Sequence, residues 1–184
     1  MSNTPHVLIA GAGIGGLTAA LAMLKVGIDV DIYEQAPQLG EIGAGFQMSA
    51  NGTRVLSYLG LGEAMEKIAW QPSGKEIRIW NTGQTWKLFD LGAESVERYG
   101  FPYLMFHRAD LHQLLVDAVR AEKSDAIHLN AFCTGCSQGD TEVTLHLKDN
   151  DDVSGDVLIG ADGVHSNIRQ TLFGEEDKSF SGLL

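Results

Sequence analysis

The chain is poor in cysteine and in basic residues. Its 184 residues include two cysteines, and 13 lysines and arginines stand against 24 aspartates and glutamates, a formal net charge of −11 at pH 7. This acidic balance argues against nucleic acid or an anionic membrane as a partner, although it leaves room for a local basic pocket. A chain of this length can bury one good hydrophobic core with a small appendage.

The two cysteines lie close together, as Cys133-Thr-Gly-Cys136. Their spacing fits a redox pair or half of a metal site. A second Cys/His pair does not follow nearby, which counts against zinc. We therefore expect both cysteines to serve as small apolar residues in or beside a strand, and we predict no metal site.

Charged residues are missing from Val7 to Leu24, a stretch near the length of a membrane span. This stretch contains four glycines, which would weaken a membrane helix. No Lys or Arg precedes it, so a secretory signal peptide is not expected either. We expect a soluble, cytoplasmic protein with no membrane partner.

The same stretch begins a strand–helix–strand pattern. The sequence predicts an apolar strand over Val7–Ala10, a glycine-rich loop over Gly11–Gly16, a helix over Leu17–Val26 and a second strand over Ile28–Tyr33. This is the dinucleotide-binding pattern of an α/β fold. The unpaired N–H groups and the dipole at the N-terminus of such a helix favour a pyrophosphate.

Each residue type in the loop has a physical reason. Gly11 allows the tight turn, Gly13 allows close approach of a pyrophosphate, and Gly16 allows the helix to pack on the sheet; Gly15 belongs to the same loop. Glu34 ends the second strand, where a carboxylate accepts hydrogen bonds from an adenosine ribose and repels a 2′-phosphate. The pattern thus favours FAD or NAD over NADP. A glycine turn that only packs a helix would leave Glu34 unexplained.

The remaining sequence predicts further elements. Residues 35–50 have the composition of a loop, and Asn51 is expected to cap a helix. Ile77–Trp80 and Trp86–Phe89 predict a β-hairpin, and Arg108–Lys123 predicts an amphipathic helix. Further strands are predicted from Ile127, over Val143–Leu147 and over Val157–Gly160.

Several aromatic side chains have a structural explanation and a functional one. The three tryptophans, Trp70, Trp80 and Trp86, are expected to pack in the core and the hairpin rather than to stack on a ligand. His107 is expected to be packed or exposed to solvent rather than to act as a catalytic base.

A second motif follows the predicted strand Val157–Gly160. Asp162-Gly163 comes directly after it, then Ser166, then Arg169 three residues later. This order resembles the Asp-Gly motif of the FAD-dependent aromatic hydroxylases, the single-component flavoprotein monooxygenases. The carboxyl end of a strand is also where ligands bind in open α/β sheets. By itself, Asp-Gly is an ordinary turn signal.

Two further segments resemble the same family. One is Gly43–Gln47, followed by Asn51–Leu56, and the other is His107–Leu111. With the glycine loop and the Asp-Gly motif, the resemblance covers nearly the whole chain. It is most similar to the branch of 3-hydroxybenzoate 6-hydroxylase and salicylate hydroxylase.

The resemblance implies roles for particular residues. The backbone at Ala44 and Gly45 would lie beside the isoalloxazine ring, and Gln47, the one catalytic candidate, would face its reacting edge. Related enzymes of hydroxypyridine carboxylates can carry His at this place, so Gln47 disfavours a pyridine substrate. Arg108 would reach the FAD phosphates, for which a guanidinium is suited, or would simply begin its helix.

The Asp-Gly motif would support the FAD pyrophosphate and influence the nicotinamide donor. Asp162, Gly163 and Arg169 would carry this role. The alternative for Arg169 is a surface salt bridge with Glu175 or Glu176.

The fold implied is α/β, a Rossmann-type FAD-binding domain of the glutathione-reductase-like class with the beginning of a β-rich substrate domain. Residues 1–72 and 101–178 would form the FAD-binding domain, and 73–100 and 179–184 would form portions of the substrate domain. The family's later Gly-Asp motif does not occur, and the chain stops on apolar residues. We therefore expect the N-terminal part of a longer protein.

The function implied is hydroxylation of a phenolic acid, such as 3-hydroxybenzoate or salicylate, with FAD as cofactor and NADH or NADPH as co-substrate. Two alternatives stay open. One is a flavin-dependent dehydrogenase or reductase that does not hydroxylate, and the other is an inactive FAD-binding fragment. The partner expected is a small aromatic acid; a homodimer is compatible with the sequence, and nucleic acid is not expected.

Overall fold

The computed structural model describes residues 4–40 and 44–174. Within them the chain forms two compact units, the first from residues up to 39 and from 116 onward, the second from residues 40–115. In chain order the elements are β1 (His6–Ala10), α1 (Ile14–Leu24), β2 (Asp29–Tyr33), β3 (Gly45–Met48), α2 (Ala50–Tyr58), α3 (Gly62–Ile68), β4 (Ala69–Trp70), β5 (Gly74–Arg78), β6 (Thr85–Asp90), α4 (Ala93–Tyr99), β7 (Leu104–His107), α5 (Arg108–Glu122), β8 (Ile127–His128), β9 (Cys133–Gln138), β10 (Val143–Leu147), β11 (Val153–Gly155), β12 (Val157–Gly160) and α6 (Asn167–Phe173).

The first unit contains a parallel sheet with the strand order β12-β1-β2-β8. In register, Val7 of β1 lies opposite Val157 of β12 on one side and Val30 of β2 on the other. Leu8 and Ile9 are fully buried. A continuous apolar run in β1 is typical of a parallel strand that is covered on both faces. This arrangement brings the carboxyl ends of all four strands to one edge of the sheet.

Helix α1 connects β1 to β2 and begins earlier than predicted. It starts at Ile14 rather than Leu17, because the loop turns sharply enough at Gly11 for Gly13 to be the N-cap residue. Leu17 and Leu21 are fully buried. Beyond the helix, Gly27 has a φ of +80° and its N–H donates to the carbonyl of Leu24 at 2.9 Å. The helix ends at Leu24, two residues before the predicted end at Val26, and the glycine lies in the turn that follows.

The antiparallel sheet β11-β10-β9 carries both cysteines. A shift in register places Cys133 opposite Leu147 and Cys136 opposite Leu145, so both thiols share a face with buried leucines. Burial raises the pKa of the Cys133 thiol to about 11. The two cysteines thus occupy strand positions, as predicted. Within residues 4–40 and 44–174, no cluster of three or more His, Cys, Asp or Glu side chains could hold a metal ion.

The second unit contains the antiparallel sheet β3-β7-β4. Strand β3 corrects the prediction of a loop over residues 35–50, because Gly45–Met48 pairs with Leu104–His107. The rings of Phe46 and Phe106 stack across this pair with their centroids 5.8 Å apart. The hydrogen-bonding partner of β3 is β7, some sixty residues later in the chain, and the local composition around β3 does not reveal this pairing.

The helix after β3 and the predicted hairpin both form. The N-cap position of α2 is held by Ser49, two residues before the predicted Asn51, and the Ser49 side chain makes no capping hydrogen bond. Strands β5 and β6 pair with Ile77 opposite Trp86, which confirms the hairpin. The predicted packing of tryptophans in the core is wrong: Trp70, Trp80 and Trp86 are 74%, 94% and 45% exposed. Trp80 lies beyond the end of β5, in the turn.

Helix α5 is the longest helical segment described. It ends at Glu122, one residue before the predicted end. Leu111, Leu115, Val116 and Val119 on it are fully buried. Among the described residues, no helix combines the length and the apolar character needed to cross a membrane.

A charge cluster joins three strands of the parallel sheet at Asp31. His6 Nε2 lies 2.8 Å from Asp31 Oδ2, and His128 Nε2 and Lys123 Nζ each lie 3.0 Å from Asp31 Oδ1. Burial alone would raise the pKa of Asp31, but the hydrogen bonds from His128, Lys123 and His6 outweigh burial and hold the pKa below its usual value. Asp31 therefore stabilises the fold in its ionised form.

We predict that Asp31→Asn lowers the free energy of unfolding at pH 7 by about 1–3 kcal/mol. Because the folded-state pKa lies below the unfolded one, the stabilisation by Asp31 is fully present above about pH 4 and is lost as the pH falls through the folded-state pKa. The difference in the free energy of unfolding between Asp31→Asn and the wild type should therefore become smaller below about pH 4. Urea denaturation between pH 7 and pH 3 measures it.

The matched control is Asp140→Asn, at an exposed position between β9 and β10. It should unfold as the wild type does at both pH values. An Asp31 variant that loses nothing at pH 7, or loses as much at pH 3 as at pH 7, would contradict the account of the cluster.

Candidate functional site

A cavity of about 510 Å³ opens in the first unit at the carboxyl ends of β1, β2 and β12. Gly11 and Gly13 border it from the loop after β1, Glu34 from the end of β2, and Asp162 and Gly163 from the turn after β12. Two motifs far apart in the sequence therefore meet at one cavity. This is the edge of an open α/β sheet at which ligands bind.

The glycines of the loop fall into two classes. Gly11 has a φ of +102°, and a Cβ on it would lie 2.5 Å from the carbonyl oxygen of Ala161. A Cβ on Gly16 would lie 2.1 Å from the carbonyl oxygen of Gly11. In contrast, a Cβ on Gly13 or Gly15 would meet no heavy atom of the described residues within 4 Å. Gly11 and Gly16 are thus required by the fold, whereas Gly13 and Gly15 keep space open.

The backbone N–H groups at the N-terminus of α1 face the open space beside Gly13 and Gly15 and can bind an anion there. Gly13 is the N-cap residue and has no side chain with which to cap the helix. Its carbonyl accepts the first helical hydrogen bond, from the N–H of Leu17 at 2.9 Å. The N–H groups of the first turn have no partner inside the helix, and they carry the positive end of the dipole. Open space beside bare N–H groups fits a pyrophosphate.

Glu34 is fixed by the backbone around it. Its Oε2 accepts the N–H of Ala12 at 2.8 Å, and its Oε1 accepts the N–H of Ala36 at 2.9 Å. A carboxylate has about four lone-pair directions, so both oxygens keep capacity for the hydroxyls of a ribose. Sequence reasoning predicted the ribose contact but missed the bond to Ala12, which ties the carboxylate to the glycine loop.

Asp162 organises the turn on the other side of the cavity. Its Oδ1 accepts the hydroxyl of Ser166 at 2.6 Å, and its Oδ2 accepts the N–H of Asn167 at 2.7 Å. Ser166 Oγ in turn accepts the N–H of Arg169 at 2.9 Å. The carboxylate therefore caps α6, and Gly163, with a φ of +81°, turns the backbone along the cavity.

Asn167 is a residue of this site that sequence reasoning missed. Its Nδ2 donates to the carbonyl of Cys133 at 2.7 Å, and it borders the cavity. This bond ties α6 to β9, where Cys133 also borders the cavity. Asn167 lies next to the Ser of the motif, but one amide side chain carries no signal of such a bond.

The other predicted site residues lie in the second unit. Arg108 begins α5, and its N–H donates to the carbonyl of Ala44 at 3.1 Å. Gly45 lies opposite His107 across β3 and β7. The pairing thus brings together two segments that the resemblance singled out. His107 is exposed, as predicted, with its Nδ1 3.9 Å from Asp110.

Gln47 lies in the middle of β3, where its Oε1 accepts a hydrogen bond from the hydroxyl of Tyr103. Tyr103 was not singled out by the sequence. Gly43, Glu175 and Glu176 lie outside the described residues, so the predictions that involve them stay predictions.

Residues 4–182 match the family model described as the FAD binding domain. The chain belongs to the FAD-binding domain family. This match confirms FAD as the cofactor and, with the parallel sheet of the first unit, confirms the predicted α/β, Rossmann-type fold.

Curated relatives match this FAD-binding domain over nearly its whole length. It is 38% identical over 181 residues to the 3-amino-4-hydroxybenzoate 2-monooxygenase PtnB3 of Streptomyces platensis, covering 98% of the chain and 45% of that protein. It is also 38% identical to the 3-hydroxybenzoate 6-hydroxylase 1 of Aquipseudomonas alcaligenes, covering 96% of the chain and 45% of that protein. The chain thus spans about 45% of the length of these relatives, and its predicted resemblance to the FAD-dependent aromatic hydroxylases is confirmed.

Solved structures agree. The crystal structure of Klebsiella pneumoniae HpxO complexed with FAD and uric acid matches with a TM-score of 0.78 and 32% identity, covering 92% of this chain and 42% of that one. The tetrameric form of 2-methyl-3-hydroxypyridine-5-carboxylic acid oxygenase matches with a TM-score of 0.79 and 29% identity, covering 94% and 43%.

We predict that Gly13→Asp strongly weakens FAD binding without weakening the fold. Asp is a good N-cap residue, and its charge favours the helix N-terminus, so the apoprotein should unfold at the same or a higher urea concentration. The carboxylate would occupy the pyrophosphate position and repel it, lowering FAD affinity more than about a hundred-fold. Quenching of flavin fluorescence measures the affinity.

Gly16→Ala should behave in the opposite way. Its Cβ would meet the carbonyl of Gly11, so the fold itself should lose about 1–3 kcal/mol or more. If Gly13→Asp destabilises the apoprotein as much as Gly16→Ala does, the division of the glycines into two classes is wrong.

We predict that Glu34→Ala lowers FAD affinity about ten- to a hundred-fold, because charge-assisted hydrogen bonds to the ribose are lost. Glu34→Gln keeps one carbonyl oxygen as an acceptor and should lose less. The control is Glu142→Ala, an exposed carboxylate outside this cavity. Equal flavin retention by folded Glu34→Ala and wild type would reject the ribose contact.

Proposed function

We propose that this FAD-binding domain serves a monooxygenase that hydroxylates a phenolic acid, such as 3-hydroxybenzoate or salicylate, with reduced nicotinamide and oxygen. The observation that carries the proposal is the match, over nearly the whole chain, to relatives named as hydroxylases of hydroxybenzoates. The open space at the N-terminus of α1 supports it, since this is where FAD must be held for any flavin chemistry.

The proposed roles in the first unit follow from the geometry. The N–H groups at the start of α1, beside Gly13 and Gly15, hold the pyrophosphate. Glu34 holds the ribose hydroxyls while it fixes the loop through Ala12. Asp162 keeps the turn in shape so that the backbone at Gly163 borders the ligand. When bound, FAD supplies the redox chemistry, accepting hydride from the donor and activating oxygen.

Four further roles rest on the family resemblance. Ala44 and Gly45 are proposed to present backbone to the isoalloxazine ring, Gln47 to face the ring substrate, and Arg108 to serve the FAD phosphates. Arg169 is proposed to support FAD placement through the Asp162-Gly163 turn. The bond from Arg108 N–H to Ala44 supports a shared role for these two segments.

The division into domains and the setting in the cell are also proposals. Residues 1–72 and 101–178 would form the FAD-binding domain, and 73–100 and 179–184 would belong to a substrate domain. The hairpin β5–β6 supports a separate β-rich element within 73–100. A cytoplasmic location follows from the need for reduced nicotinamide, with NADH as the preferred donor, and a homodimer stays a prediction.

The relatives are more than twice as long as this chain, and we propose that hydroxylation requires the remainder. A reduced flavin open to water would divert electrons to peroxide instead of the ring. The 184 residues alone are therefore expected to bind FAD and not to hydroxylate.

We expect the complete natural protein, loaded with FAD, to consume NADH and oxygen and to yield a hydroxylated ring when given 3-hydroxybenzoate or salicylate. The 184-residue chain should yield none. Oxygen consumption beside product chromatography, on both proteins, measures this. Oxidation of NADH without ring product across a panel of phenolic acids would favour the dehydrogenase or reductase alternative. Coupled hydroxylation by the 184-residue chain would overturn the need for the remainder.

A further inference from the structure

The sheet β3-β7-β4 of the second unit has two different faces. Phe46 and Phe106 stack on one of them. On the other, Gln47 lies opposite Met105, and Met105 lies opposite Trp70 on β4. These three side chains are exposed. Because side chains alternate along a strand, the sheet presents a row of an amide, a thioether and an indole on one face.

The amide in this row has a fixed orientation. The hydroxyl of Tyr103 donates to Oε1 of Gln47. A glutamine amide has one acceptor oxygen and an NH₂ group with two donors, and the two point in different directions from the amide carbon. With Oε1 bound to Tyr103, Nε2 is turned away from it. The bond to Tyr103 therefore directs the two N–H donors of Nε2 away from Tyr103, and N–H donors suit an anionic oxygen.

Tyr103 is itself held from both sides along the chain. Thr53, fully buried on α2, donates its hydroxyl to the carbonyl of Pro102 at 2.7 Å. Leu104 follows Tyr103 directly and pairs with Met48 across β7 and β3. Because the backbone on both sides of Tyr103 is fixed, its hydroxyl can orient the Gln47 amide at little further cost in conformational entropy.

We propose that Tyr103 is a positioning residue for Gln47, and that the oriented Gln47 amide donates to the carboxylate of the ring substrate. The inference rests on the proposed function, which brings a phenolic acid to Gln47. It adds a basis for selectivity, because an N–H donor favours a ring acid over a neutral ring of the same shape. Tyr103 acts through Gln47 and does not itself touch the substrate.

The test uses the complete FAD-loaded protein without nicotinamide donor, and follows ligand binding by the change in flavin absorbance. Tyr103→Phe removes the hydroxyl alone. It should raise the Kd for 3-hydroxybenzoate about three- to ten-fold, the effect of one hydrogen bond, while the Kd for neutral 3-hydroxybenzyl alcohol stays unchanged. FAD content should equal that of the wild type. Tyr99→Phe, on exposed α4, is the matched control and should change none of these values.

A double-mutant cycle separates positioning from a general structural role. If Tyr103 acts only through Gln47, then Tyr103→Phe adds no further loss in a Gln47→Ala background. Gln47→Glu replaces donors by a charged acceptor and should raise the Kd for the acid more than Gln47→Ala does. An equal loss for the acid and the alcohol, or a full effect of Tyr103→Phe in the Gln47→Ala background, would overturn the proposal.

The inference and the proposed function fail in different ways. If wild type binds and hydroxylates no ring acid, with salicylate tested beside 3-hydroxybenzoate, the proposed function fails and the inference with it. If wild type does both and Tyr103→Phe binds the acid as tightly as wild type, only the inference is wrong.

Discussion

The first unit depends on one close approach of backbone to backbone. The loop after β1 passes the loop after β12 so closely that a Cβ on Gly11 would lie 2.5 Å from the carbonyl of Ala161. Within the same loop, a Cβ on Gly16 would lie 2.1 Å from the carbonyl of Gly11. Such distances leave no room for any residue but glycine. They bring the start of α1 against the turn that carries Asp162, and so create the cavity between two motifs that are distant in the sequence.

The chemistry follows from that contact. With the loop after β1 held in this conformation, the first turn of α1 faces open space at Gly13 and Gly15. The N–H groups of that turn carry partial positive charge. Glu34 ties the loop to the end of β2 through Ala12, so the carboxylate that faces the ribose also shapes the anion site. The N-terminus of α1, which binds an anion, thus lies close to the Glu34 carboxylate, which accepts hydrogen bonds from hydroxyls. A dinucleotide needs both sites, one for its pyrophosphate and one for its ribose.

What the sequence could predict was local. The glycine loop, Glu34 and the strand before Asp162 are read from neighbouring residues, and the family match bears out the cofactor they indicate. The start of α1 was placed three residues late because the sharp turn at Gly11 is a matter of backbone angle. Strand β3 was missed because its partner β7 is remote, and the exposure of Trp80 was missed because apolar character does not say what covers a side chain. The bonds of Glu34 to Ala12 and of Tyr103 to Gln47 likewise depend on the folded backbone.

The central claim is that the start of α1 holds the pyrophosphate of FAD. The most direct measurement is a titration of the isotope-labelled 184-residue chain with FAD, followed by the amide resonances in a nitrogen–proton NMR spectrum. We expect the largest shifts at Gly13–Gly16, with further shifts at Gln35 and Gly163, and ADP should reproduce those at the loop because it carries the same pyrophosphate. Binding of FAD with unshifted amides at Gly13–Gly16 would contradict the account.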